Sequence, residues 1–148
     1  MSDNSNEKAL FEDFSDNEIK EVLNYTQAYK FNKGDFLFKE GENTKSLYII
    51  FSGNVEISAL NSKGERVSFP FSGNGTVLGE IAFLDGRDRT ASAQALDVLE
   101  AIEITPSNFQ RMEIEKPQLA IKFLKELGRI VAERLRWADE VLVEVIEN

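Results

Sequence analysis

A chain of 148 residues, 42% apolar and 29% charged, has the size and make-up of one soluble globular domain. Its formal charge of −9 works against nucleic acid and against an anionic membrane surface. It has no cysteine and no histidine, which excludes disulfides, thiolate chemistry, cysteine-bound zinc and the commonest general base. Catalysis and metal binding are therefore not expected. A cytoplasmic location is, because no apolar run is long enough for a membrane span and no secretory signal is visible.

In chain order, residues 1–8 are polar and expected to fray. Ser15 followed by Glu18 has the spacing of a capping box, and predicts a short helix that buries Ile19, Val22 and Leu23. From Ala28 to Ile104, short β-branched and aromatic runs alternate with glycines. They predict strands at Ala28–Phe31, Phe36–Lys39, Ser46–Ser52, Val55–Leu60, Glu65–Phe69, Thr90–Ala95 and Val98–Ile104. Asn61-Ser62-Lys63-Gly64 reads as a hairpin loop. Strands spaced this regularly predict a small antiparallel barrel or roll. Beyond Ile104, Thr105 caps a helix with Pro106 at its first position, and Pro117 opens a longer one reaching almost to Asn148.

That last helix has two apolar stripes. Leu124, Gly128, Val131, Leu135, Ala138, Leu142 and Val145 alternate spacings of four and three, a coiled-coil seam broken only at Gly128. Phe123, Leu127, Ile130, Trp137 and Val141 form the other. Two stripes call for two partners, the chain's own barrel and a second copy of the chain. Residues 139–148 carry four acidic side chains and no basic one, so no DNA-reading element is expected there.

One segment carries chemistry, Gly79-Glu80-Ile81-Ala82-Phe83-Leu84-Asp85-Gly86-Arg87-Asp88-Arg89-Thr90-Ala91-Ser92-Ala93. Gly79 permits a sharp turn or a close approach. Glu80 to Leu84 make about one helical turn, whose N–H groups suit an anion. Arg89 then enters a strand among small residues, and a guanidinium fork matches two phosphate oxygens. The residues alone fit equally a structural ion pair between Glu80 and Arg89.

This segment resembles the phosphate-binding cassette of the cyclic nucleotide-binding domain family, which includes catabolite-activator-type regulators, kinase regulatory subunits and gated channels. Its pattern is Gly-Glu, an aliphatic residue, Ala, two apolar residues, a loop, then Arg, a small residue, Ala and Ser or Thr. Phe31-Asn32-Lys33-Gly34-Asp35, Glu40-Gly41-Glu42 and Leu47 to Val55 resemble the family's earlier strands and turns. The resemblance implies an antiparallel, jelly-roll-like β-roll followed by a long C-terminal helix. It implies one domain over 1–148, with a helical segment at 1–27, the roll at 28–104 holding a cassette at 78–93, and helices at 105–148.

The resemblance also assigns roles. Glu80 accepts a ribose 2′-hydroxyl and Arg89 pairs with a cyclic phosphate. Ile81 and Ala82 offer backbone N–H groups, Gly79 lets the cassette close, and Thr90 and Ala91 are its small residues. Arg136, Trp137, Ala138 and Asp139 fall near the stretch where relatives contact the base, although Trp137 is expected to pack in the core. Asp88 departs from the pattern, since many relatives have proline there, and a carboxylate beside Arg89 can weaken its hold on phosphate.

The leading expectation is a regulatory domain, bacterial in organisation, that binds cyclic AMP or cyclic GMP. It would be homodimeric through its last helix and would pass the bound state to an unidentified effector protein. The alternative is a docking domain of the same fold without ligand. A hydrolase built on Glu80 and another carboxylate is the remote third reading.

Overall fold

The computed structural model describes residues 9–72 and 75–147. The polar segment 1–8, expected to fray, lies outside them. Helix α1 (Asp16–Leu23) starts at the predicted capping box: the Ser15 hydroxyl accepts from the Glu18 N–H at 3.1 Å, and the Glu18 carboxylate accepts from the Ser15 N–H at 2.9 Å. Val22 is buried and Ile19 packs beside it. Leu23, expected inside, is exposed; it is the last helical residue, and Tyr25 just past the helix end enters the core instead.

The strands are β1 (Gln27–Phe31), β2 (Phe36–Phe38), β3 (Leu47–Ser52), β4 (Asn54–Leu60), β5 (Arg66–Ser72), β6 (Thr76–Leu78), β7 (Ser92–Ala95) and β8 (Leu99–Ile104). Among the described residues they form two antiparallel sheets, ordered β1-β8-β3-β6 and β2-β7-β4-β5. Sequence reading missed β6, which has only three residues and no alternation to show. The predicted hairpin is present: Asn61 N–H donates to the Glu65 carbonyl at 2.8 Å, and the Asn61 side chain accepts from the Lys63 and Glu65 N–H groups.

Alternation along β3 builds two cores from one strand. Tyr48 and Ile50 face the second sheet and meet Leu37, Phe38, Val55, Leu78, Ala93 and Leu99. Leu47 and Ile49 face outward, where they join Val77, Ile102 and Ile104 under the helices. Those helices are α1, α3 (Pro106–Glu115) and α4 (Pro117–Glu147). Thr105 caps α3, accepting from the Asn108 N–H at 3.1 Å, with Pro106 first in the helix as predicted. Phe123, Leu127 and Ile130 of α4 are fully buried in this outer core. No helix among the described residues is long and apolar enough to cross a membrane.

Candidate functional site

Helix α2 (Glu80–Asp85) interrupts the roll between β6 and β7. It begins at Gly79, whose φ of +79° suits only glycine at low cost. A Cβ on Gly79 would lie 2.6 Å from Arg89 Nη1 and 2.8 Å from the Ser46 carbonyl oxygen, so the glycine is needed for space as well. No side chain caps the start of α2, and its first N–H groups remain available to a ligand. Gly86, at φ +71°, closes the helix.

Arg89 is the centre of the site. It is 4% exposed, and its guanidinium lies over the Phe38 ring, 4.2 Å from the centroid. Nε donates to Thr44 Oγ1 at 3.1 Å, Nη1 to the Gly79 carbonyl at 3.2 Å and Nη2 to the Ser46 carbonyl at 2.8 Å. A guanidinium has five N–H donors, so about two stay available, one on each terminal nitrogen. That is the pair a fork-shaped contact with two oxygens requires. Burial pushes the Arg89 guanidinium below its ordinary value, opposed by Tyr48, Glu42, Glu103 and Glu80. Arginine stays charged under such a shift, so a buried positive charge is held facing a cleft.

The strand predicted from Thr90 starts only at Ser92. Arg89, Thr90 and Ala91 lie in the preceding loop because the Arg89 backbone is clamped elsewhere. Its N–H donates to the Glu42 carbonyl and its carbonyl accepts from the Gly41 N–H, both at 2.8 Å. The glycine turn at 41–42 thus fixes the arginine backbone, while Thr44 and Ser46 fix its head.

Glu80 does not pair with Arg89. Its carboxylate meets Arg134 of α4, with Nη1 to Oε1 at 2.9 Å, and Arg134 Nη2 also donates to the Val77 carbonyl at 2.7 Å. Both side chains are largely buried. Arg134 thereby ties α4 to the β6 edge and to the start of α2. The sequence did signal it: the apolar stripe jumps seven residues from Ile130 to Trp137, and Arg134 fills the missing place.

Gly79, Glu80, Ile81, Ala82, Arg89, Thr90 and Ala91, the whole predicted set, line one cleft of about 150 Å³ that is partly open to solvent. Phe38, Ile57, Phe71, Leu78 and Arg134 complete its wall. Arg136, Trp137, Ala138 and Asp139 do not line it; Arg134, one turn earlier, is the α4 residue that does. Trp137 packs edge-on against Phe69 of β5, with centroids 6.5 Å apart. Asp88 points away from the arginine. Its side chain is 68% exposed and meets Lys45 Nζ at 3.3 Å.

Two antiparallel sheets, broken by a short helix that faces a buried arginine, define the class: a β-roll with an arginine-lined cleft. The chain belongs to the cyclic nucleotide-binding domain family, whose profile matches residues 29–114, more than half of its length. It is similar to the cyclic AMP receptor protein of Thermus thermophilus, at 28% identity over 88% of this chain and 58% of that protein. It is also similar to the CRP-like cAMP-activated global transcriptional regulator of Mycobacterium tuberculosis, at 26% identity over 93% of this chain and 59% of the regulator. The crystal structure of a cyclic nucleotide-binding domain from Methylobacillus flagellatus superposes with a TM-score of 0.82 at 25% identity, covering 90% of this chain and 76% of that one. The chain spans just under three fifths of the length of these two curated relatives.

Proposed function

We propose that this domain is a receptor that binds a cyclic nucleotide in the cleft, cyclic AMP ahead of cyclic GMP, and passes the bound state to a partner through α4. The observation that carries this reading is the held guanidinium of Arg89, with two donors left over and uncapped N–H groups of α2 beside it. A cyclic phosphate carries one negative charge, and one arginine with oriented amides balances it. Glu80 accepts the ribose 2′-hydroxyl, and Arg134 holds that carboxylate in place. The preference for cyclic AMP follows the relatives named for it. Because Arg134 joins α4 to Glu80, ligand contact with Glu80 reaches the helix directly, and the exposed seam of α4 then pairs with a second copy. Nothing in this scheme calls for catalysis.

The test is a thermal melt with cyclic AMP, cyclic GMP and AMP, on the wild type and on Arg89→Ala. Ligand at about a thousand times its dissociation constant stabilises by roughly 4 kcal/mol, a rise of about 8–16 °C at this size. The rise is expected with a cyclic nucleotide, not with AMP, and is expected to vanish in the variant. No rise with any of them at millimolar concentration would favour a docking domain that kept the fold without the ligand.

A further inference from the structure

The charges around the cleft balance one negative charge and no more. Among the described residues, three charged side chains line it, Glu80, Arg89 and Arg134. Glu80 and Arg134 bind each other at 2.9 Å, so the net charge of the lining is that of Arg89 alone.

A carboxylate stands behind that arginine. The Arg89 guanidinium lies 4.2 Å from the centroid of the Phe38 ring, and the Tyr48 ring stacks on Phe38 with centroids 6.1 Å apart. The Tyr48 hydroxyl donates to Glu103 Oε2 at 3.1 Å. Tyr48 and Glu103 are direct cross-strand partners on β3 and β8, so both point into the roll. Glu103 is half-buried and has no ion-pair partner among the described residues. Its charge also lifts the Tyr29 phenol above its ordinary value. Two other carboxylates act on Arg89, but Glu80 is committed to Arg134, and Glu42 is exposed and screened by water. Hydroxyl donors steady the Glu103 charge without cancelling it, and a buried cation is costly without such a counter-charge.

The same field acts on whatever enters in front of Arg89. A phosphodiester brings one negative charge, and a phosphomonoester at pH 8 brings two. Arg89 balances the first and leaves one charge of the second facing Glu103. We propose that Glu103, behind the stack of Phe38 and Tyr48, restricts the cleft to singly charged phosphodiesters and turns away monoesters such as AMP. The proposal rests on the reading of the cleft given above and names the residue that sets its charge preference. Coulomb energy scales with the charge of the ligand, so deleting the Glu103 charge helps a dianion twice as much, in free energy, as a monoanion. A change in the shape of the cleft follows no such rule.

Competition against a fluorescent cyclic AMP analogue at pH 8 tests this, with cyclic AMP, AMP and the methyl phosphodiester of AMP as competitors. The proteins are wild type, Glu103→Gln and Glu113→Gln. Glu103→Gln keeps an acceptor for Tyr48 and removes the charge. It should bind cyclic AMP about threefold tighter and AMP about tenfold tighter, and should melt lower without ligand. Glu113 is exposed on α3, so Glu113→Gln makes the same change in net charge elsewhere and should leave both affinities within about twofold. On wild type, the methyl diester should bind about tenfold tighter than AMP although it is bulkier, a comparison that needs no variant. Equal gains for the two nucleotides in Glu103→Gln, no gain for either, or a methyl diester no tighter than AMP overturn the proposal and leave the receptor standing. A wild type that binds neither the fluorescent analogue nor cyclic AMP overturns the receptor reading and this proposal with it.

Discussion

In the proposed receptor, Arg89 has two jobs that compete for its five donors. Three hold it to Thr44, Gly79 and Ser46, and the remainder face the cleft. Lysine has only three donors and no planar fork, so Arg89→Lys cannot keep both jobs. Removing a buried cation that pairs with a ligand costs about 2–5 kcal/mol, so Arg89→Ala should lose roughly that much affinity by calorimetry; Arg89→Lys, which keeps the charge but not the fork, should lose less while also melting lower without ligand. Gly79→Ala tests the same spot from the backbone side. A left-handed alanine costs about 1–3 kcal/mol, and its Cβ would also displace Arg89 Nη1; lower melting together with lost ligand response is expected. The Asp88 carboxylate, next to Arg89 in the chain, is largely exposed and pairs with Lys45. An exposed pair of this kind is worth up to about 1 kcal/mol, so Asp88→Ala should change ligand affinity by less than about fivefold. A larger gain would mean that the carboxylate reaches Arg89 in solution.

At the scale of elements, α1 shows how a local signal becomes a tertiary tie. Its capping residue Glu18 also bonds Lys122 of α4 at 2.9 Å. The Ser15 N–H, and after it Lys122, hold the Glu18 carboxyl below its ordinary value. The unfolded chain therefore takes up this proton at a higher pH than the folded one. The contribution is complete above the ordinary carboxylate value and is lost as pH falls through the folded value. The melting difference between wild type and Glu18→Ala should shrink as pH is lowered from about 7 to about 3; a constant difference would mean that packing, not charge, is responsible. Ser15→Ala should cost about 1 kcal/mol. Elements of this kind were legible because capping boxes, prolines at helix starts and glycine-punctuated β-branched runs act locally. The strand ends were less so. Thr90 and Ala91 read as strand by composition, yet the Gly41 turn, bonded to the Arg89 backbone, draws them out of the sheet. Thr44 and Ser46 as holders of Arg89 lie more than forty positions away, and no local pattern announces them.

For the whole molecule, α4 divides into an anchored half and an outlying half. Leu119, Ala120, Phe123, Leu127 and Ile130 are buried against the roll. Leu142, Val143, Val145 and Ile146 are each more than half exposed. Arg134 and Trp137 sit at the junction, touching Glu80 and Phe69. Stability should therefore be graded along one continuous helix, since amides under buried contacts open only with the core and those beyond it open locally. Hydrogen exchange on dilute, ligand-free protein should find residues 119–130 protected and residues 139–147 exchanging far faster. Cyclic AMP should slow exchange at 79–82, where the cleft closes, and also at 134–141, where α4 senses it through Arg134. A ligand shifts a helix only through differential contact with its two states, and the Glu80–Arg134 bridge is the contact on offer. Arg134→Gln should therefore keep the slowing at 79–82, with weaker affinity, and lose it at 134–141. If both regions still slow together in that variant, the signal reaches the helix through the packing of Trp137 on Phe69, and the tryptophan becomes the coupling residue.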